Sequence, residues 1–135
     1  QHLINYRCGT GHSVSFVGNV HEGPHALNGR NTTLMRPGMI VTDEPGVYET
    51  DLVGIRIENE LVCVHKADNQ YGTFLGFEPI MFVPIATSPI VPGVLTKDEL
   101  DWLNNYHRQV FEKLAPRLND EEREWLAKKC AAIGC

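Results

Sequence analysis

Glu44 and Glu58 lie on two neighbouring apolar runs, MIVTDEPG and GIRIENELVCV, and His12 lies upstream in GTGHSVSFVGNVHEGPH. Two carboxylates and an imidazole that converge form the hard, oxygen-rich part of a divalent-metal site. In GIRIENELV, alternation predicts Ile55 and Ile57 on one side of a strand and Arg56 and Glu58 on the other, which sets a guanidinium beside a carboxylate. Two readings of that pair stand open. One is a cross-strand salt bridge on a solvated face; the other is a metal-binding glutamate oriented by the arginine. Glu44 follows a strand-like run and precedes Pro45 and Gly46, so it is expected at a strand end before a turn, where functional carboxylates are easily exposed.

HEGPH at positions 21 to 25 matches the HExxH pattern of zinc proteases in letters only. That pattern needs a helix, on which positions i and i+4 share a face. Gly23 and Pro24 occupy the middle, and an interior proline costs a helix about 3 kcal/mol. The zinc-protease reading is therefore rejected. CGTGH has two glycines around Thr10 but neither a GxGxxG pattern nor a following Lys-Ser/Thr, so a phosphate-binding loop is weakly supported. Its glycines are better placed to let the backbone turn and present His12 from a strand end. His12, His21 and His25 cluster in sequence, whereas His2, His65 and His107 stand isolated.

The elements that must position these side chains fall into two regions. Residues 1–92 are rich in Gly, Pro, Val and Ile, with short runs bounded by turn signals (NGRN, RPG, EPG, ADNQYG), and read as strands and loops. The composition changes near Pro92 and Gly93, and residues 93–135 read as helix. Thr96 and Glu99 form a capping box for a helix whose Leu100, Leu103, Tyr106, Val110 and Leu114 recur at three- and four-residue spacing, a stripe expected to lie against the sheet. Pro116 is expected to end it. A second helix is expected after Asn119 or Asp120, with Glu121, Glu122 and Glu124 near its positive end and Lys128 and Lys129 near its negative end. Trp102 and Trp125 are read as packing anchors.

The chain has 135 residues, 42% hydrophobic and 21% charged, which is ordinary for a folded globular domain. A net charge of −5 without a basic cluster argues against nucleic acid or an anionic membrane as partner. The apolar stretch FEPIMFVPIATSPIVPGVL is too broken by prolines to span a bilayer as a helix. Cysteines at 8, 63, 130 and 135 form no CxxC pair and no disulfide framework, so a reducing cytoplasm is the expected compartment. The chain opens at Gln1, a few residues before GTGH, and reads as a cut through a larger protein.

In this order and spacing, GTGH, NVHEGP, the DEPG turn and GIRIEN resemble the carboxy-terminal catalytic half of aminopeptidase P, the Xaa-Pro aminopeptidases of the pita-bread metallopeptidase family. FLGFEPIMFVPI, LTKDELDWLNNYHRQVFEKLAPRL and EREWL resemble the tail of the cytosolic branch, so nearly the whole chain is covered. The resemblance implies an α+β fold: half of a pita-bread (creatinase/aminopeptidase) domain, with a curved antiparallel sheet in residues 1–92 and C-terminal helices in 93–135.

It also implies a site. Two divalent ions, manganese first with zinc or cobalt as alternatives, would be held by two aspartates, one histidine and two glutamates. By position, His12 is the imidazole ligand, Glu44 the first glutamate and Glu58 the glutamate bridging both ions. His21 matches the histidine that contacts substrate, and Arg56 orients the carboxylates. The substrate implied is a peptide with proline in the second position. The aspartates belong to an upstream half of the same protein, so the chain alone is expected to be inactive. Cys8 stands where the family often has another histidine, and Ser13 and Ser15 stand where glycines are frequent. A prolidase acting on Xaa-Pro dipeptides and a non-catalytic pita-bread binding module are the alternatives. A homodimer contact through residues 96–132 is a further expectation.

Overall fold

The computed structural model describes residues 6–134, which form two compact units meeting between Met81 and Phe82. That boundary lies upstream of the composition change at Pro92 and Gly93, because Phe82 and Ile85 already pack into the core of the helical unit.

The first unit is built from seven strands: β1 (Gly11–His12), β2 (Ala26–Leu27), β3 (Ile40–Asp43), β4 (Gly46–Glu49), β5 (Val53–Arg56), β6 (Asn59–Asn69) and β7 (Gly72–Pro79). They pair antiparallel in three ladders, β1 with β2, β4 with β5, and β6 between β3 and β7. A bridge between Ser13 and Val41 ties the first ladder to β3. Val41, Thr42, Cys63 and Ser13 are the buried residues at this junction. β3 does not alternate in burial: Val41 and Thr42, on opposite faces, are both buried between half-buried Ile40 and Asp43, so both faces are covered here. The β6–β7 register slips between His65 and Ala67, leaving Lys66 as the extra residue of a bulge. Its stem lies over Gly76, where an added Cβ would come within 2.7 Å of Lys66 Cε.

Two expectations change here. GIRIENELVCV is not one strand: β5 pairs with β4 up to Arg56, Ile57 N–H passes to the Pro45 carbonyl, and the chain then changes partner to β3 as β6 begins at Asn59. Glu58 therefore sits in the break between two ladders. Likewise Glu44 and Pro45 form no reversal; they are a two-residue passage from β3 directly into β4.

The helical unit contains α1 (Lys97–Leu114), a 3-10 turn (Ala115–Arg117) and α2 (Asp120–Lys129). Thr96 and Glu99 close the expected capping box on α1, and Asn119 and Glu122 close one on α2. The α-helix ends at Leu114, two residues before Pro116, and the chain tightens into the 3-10 turn around the proline. Leu100, Leu103, Tyr106 and Val110 are buried as the stripe requires. Within this unit the stripe is covered by Leu126 of α2 and by Phe82, Ile85, Leu118 and Cys130. Trp102 and Trp125 are not anchors of this core: they are 62% and 56% exposed, Trp102 stacked on the Tyr106 ring and Trp125 beneath the Lys129 ammonium. His107, isolated in sequence, is fully buried.

Cys8, Cys63 and Cys130 are free thiols. Cys135 and His2 lie outside the described residues. No helix among the described residues is long and apolar enough to cross a membrane.

Candidate metal centre

His12 ends β1, and its position is fixed against β3 by two contacts with Thr42. Gly11 runs so close to β3 that a Cβ there would lie 1.8 Å from the Thr42 carbonyl oxygen, which only glycine avoids. The His12 N–H donates to Thr42 Oγ1 at 3.0 Å. The same hydroxyl donates to Glu44 Oε1 at 3.2 Å. The Glu44 main chain is held as well, its N–H donating to the Thr10 carbonyl at 2.6 Å. One threonine side chain and one strand crossing thus place the imidazole and the carboxylate together.

Their mutual geometry is that of two donors aimed at one point. His12 Nδ1 is 3.0 Å from the Ser13 carbonyl oxygen, an acceptor only, so Nδ1 carries the proton. Nε2 then faces Glu44 Oε1 at 3.1 Å. With one proton on the ring, both facing atoms offer electron pairs, an arrangement satisfied by a second proton or by a cation bound to both. Glu44 is largely shielded, its side chain 13% exposed, which strengthens its demand for a positive partner.

Arg56, at the end of β5, supplies part of that charge. Its Nη1 lies 3.5 Å from Glu44 Oε2 and 4.0 Å from Glu58 Oε2. The guanidinium also lies over the Tyr48 ring, 5.8 Å from its centroid. Tyr48 first, then Glu44 and Glu58, push the Arg56 pKa further above its ordinary value. Arg56 therefore stays a fixed cation between the two carboxylates.

Of the predicted trio His12 and Glu44 come together, but the three do not form a finished metal cage. Among the described residues no group of three or more His, Cys, Asp or Glu side chains is gathered to hold a metal ion. His12 and Glu44 are the assembled pair; Glu58 joins them through Arg56. An imidazole nitrogen and carboxylate oxygens suit a divalent ion of intermediate hardness, and further oxygen ligands are needed to complete it.

His21 joins from the loop after β1, its ring centroid 4.1 Å from that of His12. Glu22 N–H donates to the Ser13 carbonyl and Ser13 N–H to the His25 carbonyl, folding this loop back onto itself. Gly23–Pro24 lies in it without helix, so His21 and His25 share no helical face. His25 instead places Nε2 2.7 Å from the Ile40 carbonyl. His65 pairs with Asp68 on the exposed β6–β7 hairpin. Residue types alone did not single out Thr42 and Tyr48. The only sign in the sequence was their place in the same short runs as Glu44.

Residues 2–65 match the model described as metallopeptidase family M24, and residues 73–133 match the one described as the C-terminal region of peptidase M24. Aminopeptidase P2 of Arabidopsis thaliana is 46% identical over 91% of this chain and 18% of its own length. A probable Xaa-Pro aminopeptidase P of Coprinopsis cinerea is 41% identical over 96% of this chain and 22% of its own length. The crystal structure of X-prolyl aminopeptidase from Caenorhabditis elegans, described as a cytosolic enzyme with a di-nuclear active site, superposes with a TM-score of 0.81 at 39% identity, over 93% of this chain and 21% of that one. The chain thus spans about a fifth of the length of these relatives. With two family models covering the strand-rich and the helical unit in turn, and with the α+β pita-bread fold of the nematode enzyme, the chain belongs to metallopeptidase family M24.

Proposed function

We propose that this chain supplies the His and Glu half of a dinuclear aminopeptidase site in a longer protein, which removes the first residue from peptides with proline in second position. The observation carrying this reading is the pairing of His12 Nε2 with Glu44 Oε1 at 3.1 Å, with Arg56 spanning Glu44 and Glu58, in a family M24 chain. In this reading His12, Glu44 and Glu58 are metal ligands, and two aspartates from an upstream half complete the set.

A bound pair of divalent ions supplies Lewis-acid polarisation of a peptide carbonyl and acidifies a water molecule. The chain's own residues do the rest. Thr42 holds the His12 main chain and the Ser13 carbonyl orients its imidazole, so that Nε2 needs little reorganisation to bind. Glu58, in the break between β5 and β6, is outside ladder pairing, and its carboxylate, with Oε2 4.0 Å from Arg56 Nη1, would be the one shared by the two ions. Arg56 sets its positive charge between the two glutamates. His21, exposed and with its ring tilted against that of His12, would hydrogen-bond the scissile carbonyl oxygen or pass a proton to the leaving proline nitrogen. Manganese is the metal proposed, with zinc and cobalt able to use the same donors. A cytoplasmic location accords with three free thiols and with the nematode relative.

The test is calorimetry and peptide hydrolysis on the longer protein. The wild type is expected to take up about two divalent ions and to cleave ahead of proline; Glu58→Gln is expected to lose one ion and turnover together. Undiminished uptake and activity in that variant would remove Glu58 from the site. Metal-free binding of peptides by the wild type, without cleavage, would favour a non-catalytic module.

A further inference from the structure

The segment after Met81 has no strand partner among the described residues, yet the amides of Val83 and Ile85 and the Val83 carbonyl are satisfied. Pro84 has no N–H, so Val83 and Ile85 carry the only amide donors of the triplet Val83-Pro84-Ile85. Both are taken by consecutive side chains of α1. The Val83 N–H donates to the Tyr106 hydroxyl at 3.3 Å, and that hydroxyl donates back to the Val83 carbonyl at 2.9 Å. The Ile85 N–H donates to His107 Nε2 at 3.1 Å. Two ring side chains thus stand in for a neighbouring strand. Phe82 and Ile85 are thereby laid on the core of Tyr106, Val110 and Leu126.

The two attachments differ in chemistry. A phenol keeps its hydrogen bonds throughout the neutral and mildly acidic range, whereas an imidazole can accept a hydrogen bond only while one nitrogen is bare. Because Nε2 accepts from Ile85, the single ring proton is on Nδ1, which is buried with no hydrogen-bond partner. A second proton must go to Nε2. The ring then has no acceptor left, the Ile85 N–H faces another N–H, and a charge is enclosed in a fully buried side chain.

No anionic side chain among the described residues pairs with the ring to compensate such a charge. On α1 the titratable neighbours are Tyr106, with its ring centroid 6.0 Å away, Arg108 and, further along, Lys113, whose ammonium lies over Phe82. The 82–86 segment has no ionisable side chain. From α2 the titratable member of this core is Cys130, a thiol whose own pKa is pushed up by burial. No carboxylate is within hydrogen-bond or ion-pair distance of the imidazole among the described residues.

We propose that Tyr106 and His107 form a latch for residues 82–86, and that uptake of a second proton by His107 opens its Ile85 half while the Tyr106 half holds Val83. Burial keeps the imidazole below its ordinary pKa, so the open state takes the proton more readily than the closed one. The latch is closed above the ordinary imidazole range and weakens as pH falls through it. Opening exposes Ile85 and alters the surface cleft that Pro84, Ile85 and Ala86 share with Trp125, Lys128 and Lys129.

Amide hydrogen exchange on the full chain tests this, read as protection factors corrected for intrinsic rates. Ile85 is expected to lose about tenfold or more in protection between about pH 7.5 and about pH 5, while Val110 in the middle of α1 holds its value. In His107→Gln, whose amide oxygen accepts without titrating, Ile85 protection is expected to be flat across this range. Nitrogen NMR of the wild-type imidazole gives a second reading that needs no variant: at neutral pH the proton is expected on Nδ1 and absent from Nε2. A flat Ile85 profile in the wild type, an equal loss in His107→Gln, or an Nε2-protonated ring at neutral pH would each overturn the latch.

Discussion

The His12 imidazole and the Glu44 carboxylate meet at 3.1 Å although they come from different ladders, and the Thr42 hydroxyl touches both. It accepts from the His12 main chain and donates to the Glu44 side chain. Thr42 is buried, so neither bond is readily replaced by water.

Thr42→Val keeps the shape and removes both bonds. Leaving a buried N–H unsatisfied is expected to cost about 1–3 kcal/mol of stability. Loss of an orienting partner is expected to weaken divalent-metal binding by the longer protein about 10–100-fold. Thr42→Ser, which restores the hydroxyl, is expected to recover most of the affinity. Denaturant melts and metal titrations read the two effects separately.

Gly11→Ala would set a methyl group 1.8 Å from the Thr42 carbonyl oxygen, a backbone atom that cannot rotate away. The strand crossing between β1 and β3 must open. A loss of at least about 1–3 kcal/mol is expected, the usual range for overpacking, accompanied by displacement of His12. Gly9→Ala, where an added Cβ meets nothing within 4 Å, is the control and is expected to leave metal binding unchanged.

Leu126 is the contribution of α2 to the helical core and is 2% exposed. Leu126→Ala is expected to cost about 2–5 kcal/mol through lost burial and the cavity left behind. Trp125→Ala, at an exposed position beside it, is expected to change stability by less than about 1 kcal/mol. Denaturant unfolding followed by far-ultraviolet dichroism compares both variants with wild type.

The start of α1 has an acid-sensitive cap. Glu99 accepts hydrogen bonds from the Thr96 main chain and hydroxyl, both at 2.8 Å, and these hold its carboxyl below the ordinary glutamate pKa. A depressed carboxyl contributes above its unfolded pKa and loses that contribution as pH falls through the folded value. Fraying of the first turn is therefore expected only at pH below the ordinary glutamate range, separate from the imidazole range in which His107 acts. Thr96→Ala removes the cap at all pH and is expected to cost about 1 kcal/mol.

Local signals were sufficient for much of this molecule. The two helices, the capping box of α1, the buried stripe of α1 and the strand-rich character of the first unit all follow from spacing and cap chemistry, which act within a few residues. The rejection of HEGPH as a zinc motif followed from Gly23 and Pro24 for the same reason. Pairing is different. GIRIENELVCV reads as one strand because each residue in it favours extension, and only the change of partner from β4 to β3 breaks it at Ile57 and Glu58.

The sequence by itself determined which side chains are able to bind a cation, and its order of short motifs placed the chain in its family. Tertiary structure alone decided that His12 meets Glu44 directly while Glu58 joins through Arg56, that Thr42 fastens the first pair, and that His107 is buried against Ile85. Each of these depends on which segments cross in space. Periodicity measures the direction a side chain takes from its own backbone, but not the identity of the chain that lies opposite.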